Sequence, residues 1–274
     1  MKIREAKKEA RRALKGKLSK AVGYGLLYTF FIDGISFILP GIGTLIIAIT
    51  LIPLYIGITE VCMKLSNNEK VKPMEFFNIG INKFGKSWGI FFLIILRLIP
   101  QLLLIMIASF LVTTMVSVEL EKILGEDFTE ISAAIVLIAI CLFSYIAYIK
   151  YAFAKYIYIN EPNLLIKEIL NKSKKLMKGN RIKYLLLQLS FVPWYILVVI
   201  ILGVAAFGMF GIVLDFFRGD ILYTVLWILG VTVLGVILLI YLSCFKPYRI
   251  ISSMKFYEMI EKSETKEETN ENRE

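Results

Sequence analysis

From Trp88 to Val118 the chain runs for thirty-one residues with a single charge, Arg97. A helix rises 1.5 Å per residue and a bilayer's hydrocarbon core is ~30 Å thick, so ~20 apolar residues are enough to cross it. A helix apolar on every side needs hydrocarbon or a large protein core around it, and 274 residues leave little room for the second. Similar runs recur at about residues 21–39, 43–63, 131–152, 184–214 and 221–245, with charge concentrated in the blocks between them and only Asp33, Glu60 and Lys150 inside these runs. With 58% hydrophobic residues and a mean hydropathy of +0.72, the predicted fold class is all-α. The chain reads as a polytopic membrane protein of about six transmembrane helices arranged as three hairpins. Residues 1–262 form one integral membrane domain in this reading. The remainder, 263–274, is too polar to bury a core and is expected as a disordered cytoplasmic tail.

The first twenty residues carry nine Lys or Arg against two Glu. Ile3, Ala6, Ala10, Ala13, Leu14 and Leu18 recur at helical spacing, which predicts an amphipathic helix lying along a membrane surface. Two further basic segments precede hairpins. Each of the three ends in a Lys/Gly cluster, at Leu14-Lys15-Gly16-Lys17, Lys83-Phe84-Gly85-Lys86 and Met177-Lys178-Gly179-Asn180. The pattern reads as one unit repeated three times, a surface helix followed by two spans. In the third copy, Asn160-Glu161-Pro162 has the residue types of a helix start and Gly179-Asn180 those of a stop.

Positive charge fixes the orientation, because Lys and Arg accumulate on the cytoplasmic side. With the amino end inside, the inner segments hold nine, five, nine and six basic residues, whereas the outer turns hold only Lys122 and Arg218. Both termini are therefore expected in the cytoplasm.

The segments EAKKEARRALKGKLSKAVGYGLLY, MEFFNIGINKFGKSWG and NKSKKLMKGNRIKYLLLQLSFVPW resemble successive motifs of an uncharacterised bacterial integral-membrane family catalogued as domain of unknown function 975. The first motif departs from the family's pattern at Lys17-Leu18, where an aromatic commonly follows Lys-Gly. The resemblance implies a multi-pass protein of the bacterial plasma membrane, related to membrane regions beside glycerophosphodiester phosphodiesterases. It implies no activity.

Several chemistries lack their parts. Histidine is absent, which removes the commonest general base and zinc ligand. Cys62, Cys141 and Cys244 form no CxxC and lie in or beside apolar runs. No cofactor or metal is implied, and no catalytic constellation stands out, so the chain is read as not an enzyme. The net charge of +10 flanks spans rather than forming one face, which argues against nucleic acid.

Two sets of residues remain as site candidates. Inside the spans, Asp33, Arg97 and Gln101 are polar where lipid makes polarity costly, and intramembrane ionisable groups are functional candidates by default. Asp33 is the expected partner of Arg97, and a stripe of Ser144, Tyr148, Tyr151 and Lys155 shares one helix face. These residues either line a polar site or fix helix order. At the inner surface, Lys7, Lys8, Arg11, Arg12, Lys15, Lys174, Lys175, Lys178 and Arg181 can attract anionic lipid by ~1 kcal/mol each. The leading functional expectation is a non-enzymatic envelope or membrane-partner protein whose partner is the anionic inner leaflet, with any protein partner unidentified. The alternative is a small-solute transporter or channel built around Asp33, Arg97 and Gln101.

Overall fold

A computed structural model describes the backbone of residues 2–38, 42–124, 127–219 and 221–271. Side chains are described at 3–32, 45–111, 137–138, 140–215, 217–219, 221–266 and 269. Eleven helices and no strand occur among the described residues. They are α1 (Lys2–Leu14), α2 (Leu18–Ile38), α3 (Ile42–Ser66), α4 (Glu75–Asn82), α5 (Phe84–Leu124), α6 (Asp127–Ile149), α7 (Ala154–Asn160), α8 (Ile166–Leu176), α9 (Arg181–Leu189), α10 (Val192–Arg218) and α11 (Ile221–Glu271). Four stretches among the described residues are long and apolar enough to cross a membrane: Leu45–Ser66, Phe84–Leu111, Arg181–Asp215 and Ile221–Lys266. A shorter apolar helix covers Leu18–Ile32. Where the sequence reading expects one domain, two compact units form: residues 1–84 with 182–274, and residues 85–181.

In the first unit α11 is the common neighbour, packing on α1, α2, α3 and α10. Glycines set how closely its helices approach. A Cβ on Gly25 of α2 would collide with the Ser243 carbonyl of α11, and one on Gly57 of α3 with the Phe76 carbonyl of α4. Trp227 of α11 lies over Gly211 of α10, 2.8 Å from where a Cβ would sit, and donates its Nε1–H to Asp215 at 3.1 Å. Contacts between polar groups tie the same helices. Lys246 of α11 donates to Thr29 at 3.0 Å and lies 5.3 Å from the Tyr28 ring, while Arg249 reaches the hydroxyls of Tyr195 and Tyr55.

The second unit contains α6 to α8 and nearly all of α5. Gly89 of α5 leaves room for Ile166 of α8, whose Cδ1 lies 2.6 Å from a Cβ built there. Lys86 hydrogen-bonds the Pro162 carbonyl and faces the Tyr158 ring. Lys172 pairs with Glu161, and Ser173 donates to the Lys150 carbonyl at 3.1 Å.

Several boundaries differ from the sequence reading. α8 begins at Ile166, where Glu168 accepts the Leu165 N–H at 2.9 Å, and Asn160 ends α7 instead of capping α8. α5 and α11 run through Pro100 and Pro247. Each proline removes one helical hydrogen bond, a loss that local adjustment and packing can absorb. The fifth apolar run divides into α9 and α10 at Ser190-Phe191, with Pro193 in the first turn of α10. α11 stays helical through Glu271, across most of the segment expected to be a disordered tail. That segment is rich in Glu and Lys, good helix formers, and extending an existing helix needs no new nucleus. Residues 39–41 of the expected first turn, and the side chains of the acidic block 119–130, lie outside the described residues.

Candidate functional site

The three basic segments each contain a short amphipathic helix: α1, α4 and α8. Their apolar sides are turned inward onto protein. On α1, Ala6 and Ala10 are completely buried and Leu14 nearly so, and the helix packs on α11. On α4, Phe76 and Gly80 are buried against α3, and on α8, Ile169, Leu170 and Leu176 are buried. This corrects the expectation that α1 lies on lipid through its apolar stripe. Alanines every fourth residue suit a lipid surface weakly and a close helix–helix contact well, because they allow backbones to approach. Only the charged face remains available for contact with lipid head groups.

That face is rich in cations. Lys8, Arg11, Arg12 and Lys15 are exposed and make no ion pair among the described residues. Lys174, Lys175 and Lys178 are exposed along the end of α8. Lys7 is different. It donates to the Ser190 carbonyl at 3.3 Å and sits 4.5 Å from the centre of the Phe191 ring. Burial, with Arg11 nearby, holds its ammonium below the ordinary lysine value. Lys7 thus pins α1 to the junction of α9 and α10 and is removed from the set of surface cations. Arg181 is also drawn in, with its Nε buried and without a hydrogen-bond partner among the described residues.

Gly16 and Gly179 have the same left-handed conformation, φ 78°, directly after α1 and α8. The third cluster departs from this pattern. Lys83 is the junction at φ −98°, and Gly85 lies inside α5. Two of the three Lys/Gly clusters are therefore the same backbone device and the third is not. The turn before α4 is braced by charge instead. Lys64 lies 2.8 Å from Glu75 and 3.5 Å from Glu60, Lys83 lies 2.5 Å from Glu60, and the Lys72 N–H donates to Glu75 at 2.8 Å. The Lys64 ammonium, helped by the Lys72 N–H, holds the Glu75 carboxyl below its usual range.

Among the intramembrane candidates, Arg97 donates to the Asn171 side chain of α8 at 3.1 Å and lies 5.9 Å from the Tyr151 ring. An arginine ~20 Å along α5 from its start, at 1.5 Å per residue, thus meets a polar face of its own unit. Asp33 lies on α2 with its side chain outside the described residues. Gln101 is half-buried one turn beyond Arg97. The predicted stripe is broken because α6 ends at Ile149. Ser144 donates to the Ile140 carbonyl of its own helix at 2.5 Å, Tyr148 is largely exposed, Tyr151 falls in the turn after α6, and Lys155 is on α7. Sequence reasoning missed Lys246 and Arg249, which it read as residues just past a span. Their spacing from Tyr241 and Phe245 along a continuous helix was the available signal.

The family model for proteins of unknown function designated DUF975 matches residues 1–264. The chain belongs to this family. The match covers all three of the basic segments and every apolar run, so the features described above lie within the family region. No curated protein and no solved structure matches the chain.

Proposed function

We propose that this member of the family is a non-enzymatic integral protein of the bacterial plasma membrane. In this reading it crosses six times as three hairpins, with both termini cytoplasmic, and holds charged helix faces against the anionic inner leaflet. The observation that carries the reading is the orientation of α1: Ala6, Ala10 and Leu14 are buried, and Lys8, Arg11, Arg12 and Lys15 face outward with no ion pair among the described residues. Contact with lipid is then electrostatic and at the level of head groups, without insertion of the helix, and it weakens as salt shortens the Debye length. The protein organises the membrane or a membrane partner. It performs no chemistry, and Arg97 holds α8 to α5 instead of lining a solute path.

The test is lipid selectivity. The purified chain is reconstituted with spin-labelled phosphatidylglycerol or phosphatidylcholine, and the motionally restricted fraction is compared between 0.05 and 0.5 M salt. The anionic probe is expected to be enriched at low salt and to lose that enrichment at high salt. Equal restriction of both probes would remove the surface reading. Reporters fused to the two termini are expected to respond from the cytoplasm, and signals from opposite faces would refute the six-span topology. An uptake activity abolished by Arg97→Leu would count against the non-transport assignment.

A further inference from the structure

An open groove of about 710 Å³ runs between the last turns of α1 and the middle of α11. Its volume lies within the range of ~300–1,000 Å³ common for small-molecule sites. The two sides differ in chemistry. Lys8, Arg11, Arg12 and Lys15 stand at one rim, exposed and without an ion pair among the described residues. The opposite wall is aromatic, with Trp194 of α10 stacked on Tyr241 and Phe245 at ring separations of 5.7 and 5.9 Å. The Tyr241 hydroxyl donates to the Trp194 carbonyl at 2.9 Å, which holds these two side chains in place. Trp194 remains 44% exposed, and its open face lines the groove.

We propose that this groove binds one molecule of an anionic phospholipid, with the phosphate between the rim cations and an acyl chain along the Trp194–Phe245 wall. Charge complementarity selects the ligand. Four cations with no carboxylate among the lining residues favour a net negative head group, whereas a zwitterionic lipid would bring its own ammonium among them. The apolar wall below them would gain nothing from a fully soluble anion. Tryptophan and tyrosine also favour the membrane–water interface, the depth at which a lipid offers phosphate and chain together. The inference rests on the proposed contact with the inner leaflet and narrows it to a single built site.

The experiment uses the full chain in vesicles whose phosphatidylglycerol or phosphatidylcholine carries brominated acyl chains, at equal total negative charge. The contribution of Trp194 is the fluorescence difference between the wild-type chain and Trp194→Phe. Half-maximal quenching is expected at about fivefold less brominated phosphatidylglycerol than brominated phosphatidylcholine, the effect of one near-surface cation. Lys8→Gln/Arg11→Gln/Arg12→Gln/Lys15→Gln should abolish that ratio, and Arg11→Lys/Arg12→Lys, which keeps the charge, should preserve most of it. A ratio near one in the wild type, or a ratio unchanged in the quadruple variant, overturns the proposal. Loss of the ratio in inorganic phosphate, but not in chloride of matched ionic strength, would identify a soluble anion as the occupant and also overturn it. Salt-sensitive enrichment of the spin-labelled anionic lipid with a Trp194 ratio of one would refute the groove alone. Failure of both would refute the general lipid reading as well.

Discussion

Gly57 of α3 stands against the Phe76 carbonyl of α4 so closely that a methyl group on it would penetrate that oxygen. Backbone cannot step aside as a flexible side chain can. Gly57→Ala is therefore expected to destabilise the chain by at least the ~1–3 kcal/mol typical of overpacking. Gly25→Ala should behave alike, because it meets the Ser243 carbonyl. Gly23→Ala, two residues away with open space around it, should leave the melting temperature in detergent unchanged. Equal melting temperatures for Gly23→Ala and Gly25→Ala would show that the α2–α11 approach is wrong.

Arg97 and Asn171 should behave as a coupled pair. Each of Arg97→Leu and Asn171→Ala is expected to cost about 1 kcal/mol, in line with a partly exposed hydrogen bond to a charged group. The double variant should cost little more than either single one, since both remove the same contact. Thermal unfolding of the four proteins in detergent measures the coupling, and strict additivity would exclude the contact.

Acid should weaken the α3–α4 brace. A carboxylate whose folded pKa lies below its unfolded value contributes stability above the unfolded value and loses it as pH falls through the folded one. Glu75 is such a group, lowered chiefly by its hydrogen bond to Lys64. The Glu75-dependent part of the melting temperature should be constant from neutral pH down to the ordinary carboxylate range and decline below it. Comparing wild type with Glu75→Gln across pH isolates this part. A difference that grew on acidification would have the wrong sign.

Arg249→Leu should loosen the first unit. The guanidinium lies among hydroxyls contributed by α3 and α10, at Tyr55 and Tyr195. Removing it deletes both hydrogen bonds, at a cost of ~1 kcal/mol for partly exposed bonds to a charged group. Faster amide exchange in α3 and α10, together with a lower melting temperature, is expected. Unchanged exchange in both helices would contradict the contact.

Four of the apolar runs were legible as candidate spans because length and composition alone decide whether a helix tolerates hydrocarbon. The stops at Gly16 and Gly179 were legible for a local reason, as only glycine enters the left-handed region without strain. The contact of Arg97 with Asn171 was not, since Asn171 is 74 residues away in the chain and spacing along one helix says nothing of a distant one. The fate of Ala6 and Ala10 was ambiguous for a different reason: the same spacing suits a bilayer surface or another helix, and only the neighbour decides. Extending the α6 stripe to Tyr151 and Lys155 failed because periodicity carries no record of where a helix stops.

The unbroken course of α11 ties mechanics to topology. Its 51 residues extend ~77 Å at 1.5 Å each, more than twice the ~30 Å hydrocarbon thickness. Because α1, α2, α3 and α10 all rest on this one rod, a force applied near Glu271 would not stay local. Anything that grips that end pulls on four helices at once, among them the one that presents the arginines.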